Sequence, residues 1–363
     1  MQISVKPLPS PRLALVAAIL GTALIGCRSH SDQPIGEPIA IAAPLGLPPV
    51  PIPKDNPPTA ASIALGRRLF YDTRLSLDNT VACASCHSPA TAFADPRPVS
   101  IGVGGAPGVR NAPTVLDAAY LPVQFWDGRA ASLEQQSASP MVNPVEMDQN
   151  HNALVFRLNA DPNYRKLAQA AFGSPMLDMT RVEKALASFE RTLLSGDSPF
   201  DRYQYGGDKS ALTPAQVRGL AVFLDPNRGN CAVCHTIGPR SALFTDGKFH
   251  NLGVGVRDDG SFADTGRAQI TGNPADTGAF RTPTLRNVAL TAPYMHDGSE
   301  RTLQQAVDFY AGKGNSNPYL DKEMLKIHLS GQDRADLVEF LKSLTGTMPP
   351  NAGPPPAPER TAP

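Results

Sequence analysis

The 363-residue sequence is poor in cysteine, has a single tryptophan and shows no surplus of either charge. Lysine plus arginine and aspartate plus glutamate number 33 each, so the basic footprint of a nucleic-acid binder is missing. Five cysteines build no disulfide framework here, because four of them fall in two tight pairs and Cys27 is left over. The apolar run Leu13 to Ile25 is too short for a comfortable membrane span. No stretch alternates with period two for long, which leaves room only for short strands. Proline and glycine, at 37 and 30, are abundant and predict many loops.

The two cysteine pairs carry the chemistry. Cys83-Ala84-Ser85-Cys86-His87 and Cys231-Ala232-Val233-Cys234-His235 both read C-x-x-C-H, the attachment motif of a c-type haem. Thiols at this spacing each form a thioether to one vinyl group, and the adjacent histidine becomes the proximal iron ligand. One C-x-x-C alone could be a zinc half-site or a redox dithiol. Two copies, each followed by its histidine, point to two covalent haems. Of the spare histidines, His30, His151 and His328 are expected at the surface. His250 and His296 lie in loops rich in glycine and aspartate and are candidates to line a haem edge.

Lys6 and Arg12 flank the start of the apolar run, and Leu24-Ile25-Gly26-Cys27 resembles a lipobox. Residues 1–26 are therefore expected to be a lipoprotein signal peptide and Cys27 the lipidated first residue; an ordinary secretory signal is the alternative. Either reading sends the protein to the periplasm, the first with membrane attachment through the lipid alone. Nine prolines between residues 28 and 58 make 27–58 an expected Pro-rich tether, and 347–363 an expected disordered Pro-rich tail. Between them the periodic segments predict helices. One covers Ala61 to Phe70, and others open at the capping boxes Thr180-Arg181-Val182-Glu183 and Thr213-Pro214-Ala215-Gln216. A last helix runs from about Gln332 to Leu344, with Gly346 placed to end it. The expected fold is mainly α, with two cytochrome c-like haem domains, 59–200 and 201–346, packed around an inter-haem interface. Their boundary falls in the Gly/Pro cluster at 196–207.

Five stretches carry a family resemblance: Arg110-Asn111-Ala112-Pro113-Thr114, Gln124-Phe125-Trp126-Asp127-Gly128-Arg129-Ala130, Pro144-Val145-Glu146-Met147, Arg281-Thr282-Pro283-Thr284-Leu285-Arg286-Asn287 and Ala292-Pro293-Tyr294-Met295-His296-Asp297-Gly298. With the two haem motifs in order, they resemble the bacterial dihaem cytochrome c peroxidase family, which includes MauG, from about Ala64 to Gly346. The resemblance implies that the haem on Cys83, Cys86 and His87 reacts with peroxide and the haem on Cys231, Cys234 and His235 stores electrons. It implies that Glu146 is the distal carboxylate, with Gln136 and Pro140 beside it. Such a group can take a proton from peroxide and return it to the departing oxygen. Trp126 matches the residue between the haems. Asn111, Thr291 and Pro293 match an inter-haem Ca²⁺ site built from one side chain and two backbone carbonyls, donors that suit that ion.

Two positions depart from the typical pattern. Many members carry a histidine that caps the peroxide-reacting haem at rest, where this sequence has Val103, so the first haem is expected to be open without prior reduction. Typical members use a methionine as distal ligand of the second haem; the matching position is Tyr310, as in MauG-like members, with Met295 and Met324 as rivals. The resemblance thus implies an exported peroxidase that reduces hydrogen peroxide to water with electrons from a small c-type cytochrome or cupredoxin, and it admits a homodimer. One alternative is a MauG-like oxidase that uses peroxide to oxidise a protein or organic substrate. The other is a non-catalytic dihaem electron carrier, against which Glu146 and Gln136 speak.

Overall fold

The computed structural model describes residues 1–2 and 32–356. The expected signal peptide, apart from Met1 and Gln2, and Cys27 and His30 lie outside the described residues. A first lobe contains helices α1 (Ala60–Phe70), α2 (Cys83–Cys86), α3 (Leu133–Val142), α4 (His151–Ala160), α5 (Pro162–Phe172) and α6 (Met179–Glu190). A second contains α7 (Pro199–Gln204), α8 (Pro214–Leu224), α9 (Ala268–Thr271), α10 (Leu303–Ala311) and α11 (Gly331–Lys342). Its two short antiparallel strands, β1 (Phe249–Asn251) and β2 (Ala279–Arg281), set His250 opposite Phe280. The fold is mainly α, as the missing period-two pattern implies.

Each lobe is built on one helix crossing made close by a glycine. Gly66 of α1 lies against α6, where an added Cβ would stand 1.8 Å from the Ala185 carbonyl oxygen. Gly219 of α8 lies against α11 in the same way, 2.0 Å from the Asp336 oxygen. Behind each glycine a pair of phenylalanines fills the crossing: Phe70 with Phe189, centroids 5.4 Å apart, and Phe223 with Phe340, 5.1 Å apart. All four rings are at most 1% exposed, and burying such a side chain stabilises by about 1.5–3 kcal/mol. These crossings anchor two separate cores, one drawn from Leu65 to Leu193 together with Ala352, and one from Phe200 to Leu344.

The caps explain where the helices begin. Thr213 and Gln216 form the expected reciprocal box at α8. At α6 the cap is Asp178, not Thr180: its carboxylate accepts from the Arg181 amide and starts the helix earlier, where a negative charge also suits the helix dipole. The last helix is capped by Ser330 and ends at Lys342 with Ser343 after it. Gly346 does not end it; this residue is small because the Gly196 carbonyl passes 2.6 Å from where its Cβ would lie.

Neither proline-rich end is loose where it is described. Residues 32–58, expected as a tether, run along both lobes as a strap. The Ile35 amide donates to Ala171 O at 2.8 Å and Pro48 O accepts from Tyr120 Oη at 2.8 Å. Gly46 O accepts from the Ala242 amide at 3.0 Å and from Arg286 Nη2 at 2.7 Å. The buried Asn56 amide donates to Glu134 and to Lys184 O. The expected disordered tail is also docked as far as it is described: Ala352 O accepts from Tyr71 Oη at 2.5 Å, and Gly353 O from Arg67 Nε at 2.7 Å. Proline locks an extended backbone and leaves its carbonyls free of local partners, so the bodies of the lobes supply the donors.

Candidate haem sites and the seam between them

Both C-x-x-C-H motifs sit on short helical turns whose histidines are held by one device. His87 Nδ1 donates to Phe93 O at 3.0 Å, and His235 Nδ1 to Phe244 O at 2.9 Å. A carbonyl can only accept, so this bond fixes the tautomer and leaves Nε2 as the lone-pair nitrogen for a metal. Phe93 and Phe244 both adopt left-handed backbone, φ 59° and 51°, which aims those carbonyls back at the imidazoles. Thr114 and Thr284 brace the two turns by donating to Ala92 O and Leu243 O. Burial pushes both histidines below their usual pKa and keeps them neutral, the form that ligates.

The second motif opens onto a deep, mostly apolar cavity. Cys231, Cys234 and His235 lie on its wall together with Leu285, Val307, Leu337 and Leu341. Tyr310 from α10 lines the same cavity, and so do Met295 and Met324, so all three candidates for a distal ligand converge there. Burial raises the Tyr310 hydroxyl well above the usual phenol range. His250 also reaches this wall, its ring held between Asp321 (Nδ1, 2.5 Å) and Asp246 (Nε2, 3.0 Å). Among the described residues, Cys234, Asp246 and His250 form the one other convergence of metal-ligand side chains, and Cys234 is the thiol that the haem motif uses.

In the first lobe Glu146 lies on the turn after α3. Asn143 Nδ2 donates to its Oε1 at 2.6 Å, and Glu146 O accepts from the Val103 amide at 2.9 Å. Gly102 admits this contact, since a Cβ there would meet Val145 O at 2.3 Å. Val103, at the position of the usual capping histidine, is 9% exposed and belongs to the first core. Burial raises the pKa of Glu146 in spite of Asn143 and the nearby Arg129 cation. Gln136 and Pro140, one turn apart on α3, are half-buried.

The lobes meet in a reciprocal pair of hydrogen bonds. The Asn111 amide donates to His296 O at 2.7 Å, and the Arg281 amide donates to Trp126 O at 2.8 Å. Asn111 and Arg281 hold the same place in the two x-x-Pro-Thr turns, and Trp126 and His296 the same place before the two Asp-Gly pairs, so the seam resembles an isologous interface. Trp126 Nε1 donates to Asn111 O at 2.9 Å and its ring lines the second cavity. His296 is 4% exposed and stacks on Phe280 at 3.6 Å between centroids. Asn111, Thr291 and Pro293 line the cavity too, and Asn111 Nδ2 donates to Asp95 O and Arg97 O, which leaves its Oδ1 as the free donor atom.

Comparison with known proteins agrees with this geometry. A di-haem cytochrome c peroxidase family model matches residues 60–210 and a cytochrome c model residues 216–345. The chain is 40% identical over 297 residues to the methylamine utilization protein MauG of Methylophilus methylotrophus, covering 82% of this chain and 86% of that protein. It is 37% identical over 372 residues to cytochrome-c peroxidase IdrP1 of Pseudomonas sp. (strain SCT), covering 95% and 94%. The chain belongs to the dihaem cytochrome c peroxidase family. Among solved structures, a MauG-like protein associated with microbial copper homeostasis superposes with a TM-score of 0.75 at 35% identity, over 84% of this chain and 94% of that one.

Membership in the dihaem peroxidase family implies two haem c groups, and the residues fit them: paired free thiols, a neutral imidazole beside each pair, and an apolar cavity against the second. Two features escaped the sequence reading. Asn143, the partner of Glu146, is marked only by its spacing of three residues within a turn. The reciprocal seam was signalled by the repeat of Gln124-Phe125-Trp126-Asp127-Gly128 as Tyr294-Met295-His296-Asp297-Gly298, whose shared residues are few.

Proposed function

We propose that this protein reduces hydrogen peroxide to water at the first lobe, with electrons delivered singly through the second lobe from a small c-type cytochrome or cupredoxin. The observation that carries the reading is Glu146, a carboxyl of raised pKa held by Asn143 on the loop bonded to Val103. Bound haem supplies the iron that binds and reduces peroxide. The chain supplies proton handling: one peroxide, two electrons and two protons give two waters. In this reading Glu146 would take a proton from peroxide and return it to the departing oxygen. Asn143 holds the carboxyl in one orientation, and in this reading Gln136 and Pro140 would line the same pocket. Val103 offers no ligand atom, which supports a first haem open at rest. Trp126, hydrogen-bonded at the seam and lining the second cavity, is the proposed electron path, and Tyr310 the proposed distal ligand of the second haem. Ca²⁺ at Asn111 Oδ1 and the carbonyls of Thr291 and Pro293, and a periplasmic body anchored through lipid on Cys27, complete the proposal.

Glu146→Gln tests it. Peroxide turnover with a reduced donor should fall by about 10²–10⁴-fold while both haems stay attached by mass. Turnover at the parental rate would remove Glu146 from the mechanism. Tyr310 favours a second reading, MauG-like oxidation of a protein or organic molecule; failure of every reduced cytochrome or cupredoxin to speed turnover would support it.

A further inference from the structure

Among the described residues, four arginines are nine-tenths or more buried, and three of them have a carboxylate. Arg286 pairs with Asp201 at 2.9 Å, Arg191 with Glu134 at 2.8 Å and Arg181 with Asp32 at 3.2 Å. Arg281, 3% exposed, has no carboxylate within ion-pair distance among the described residues. Its Nε reaches Phe125 O at 3.3 Å and its Nη1 reaches Thr282 O at 3.2 Å, while Nη2 donates to no described residue. A guanidinium kept from water without a counter-charge is costly, and truncated buried pairs are destabilised for this reason. Burial alone pushes its pKa down to about 10, with no anion to offset it.

The missing charge has a natural source. Arg281 lines the same cavity as Cys231, Cys234 and His235. Two protein carboxylates on that wall are already engaged: Asp321 with His250 at 2.5 Å, and Glu323 with Lys326 at 2.6 Å and Asn230 at 2.8 Å. His296, the other nearby base, is pushed down to about 4 by burial and is neutral. The group that enters this cavity in the proposed function is a haem, which brings two propionate carboxylates.

We infer that Arg281 is the counter-charge for a propionate of the second haem and, through its bonds to Phe125 and Trp126, ties that propionate to the seam. It is a positioning residue, and the first lobe has no equivalent, because the matching position is the neutral Asn111. The inference rests on the second cavity holding a haem. A guanidinium fork suits a carboxylate better than an ammonium, but either cation keeps the charge.

The test uses the full-length protein with haem content measured first by mass and pyridine haemochrome. A chain lacking the second haem would overturn this inference together with the proposed function. With two haems present, the pH dependence of the second haem's midpoint potential is compared for the parent, Arg281→Lys and Arg281→Gln. The propionate ionisation seen in that profile should rise by about 1–3 pH units in Arg281→Gln and stay near the parent in Arg281→Lys. An unchanged profile in Arg281→Gln overturns the inference. Should Arg281→Gln fail to accumulate, infrared difference spectra of the parent, recorded across the second haem's redox wave, decide. A propionate that stays ionised from pH 5 to 9 supports the pairing, and a protonated carboxyl band at pH 6 or above overturns it.

Discussion

In the first lobe the helix after the Asp-Gly turn carries Gln136 and Pro140; at the same distances from its cap, the second lobe carries Ala306 and Tyr310. On the other side of each site the lobes are alike. Each has a histidine bonded to a left-handed phenylalanine, a threonine brace and a glycine-closed helix crossing. One side of a duplicated plan is therefore kept for holding a ligand to iron, and the other is free to vary. A proline offers iron nothing and leaves space, whereas a phenol can fill it. In the proposed function the two lobes differ in role through that one substitution and through Glu146, which the first lobe places on the next turn.

The sharpest way to break the comparison is Tyr310→Phe. If the phenol oxygen is what separates the lobes, the ferric spectrum should gain a second complete high-spin signature, leaving the first unchanged. A sulfur–iron band instead would assign the place to Met295 or Met324. Next in size is Asp117, whose counterpart is Asn287. Both adopt left-handed backbone, at φ 61° and 59°, and donate their amides to Leu193 O and Leu344 O. Burial pushes the Asp117 carboxyl up to about 7, and its Oδ2 has no partner. A folded pKa above the unfolded one means stability that is full in acid and lost as pH rises through 7. Asp117→Asn should therefore match the parent near pH 4 and exceed it by on the order of 2–4 kcal/mol at pH 9. Melting curves across that range check this, and a gap that narrows with rising pH would contradict it. Smallest are the two crossings. Gly66→Ala and Gly219→Ala should each cost about 1–3 kcal/mol by overpacking, and denaturant melts should find the two losses similar. A free substitution in one lobe would show that its crossing can open.

Much of this was legible from the chain alone because it depends on short spacings. The two C-x-x-C-H motifs, the capping box at Thr213 and the stripe of α1 are all local patterns, and local geometry decides them. Glu146, Trp126 and Tyr310 could be named by likeness, but the bonds that hold Trp126 come from residues distant in sequence, Asn111 and Arg281. The strap could not be read, since a proline-rich run advertises free carbonyls and says nothing about which donors will meet them. The seam was equally silent: Trp126 and His296 share a place and almost no chemistry, so their pairing with Arg281 and Asn111 emerges only when both lobes are folded. Arg281 itself looks in sequence like any other cation, and its isolation is a property of the packed interior.

The strap also sets an order of events. Gly46 is made early, yet its partners Ala242 and Arg286 come much later, the latter 240 positions down the chain. Contacts so far apart in sequence form late, after the nearby ones have been made. The strap is thus among the last segments to settle, and it settles on a chain whose two lobes already stand. A copy in which either lobe has not folded lacks donors that the strap meets, Tyr120 in the first lobe and Ala242 and Arg286 in the second.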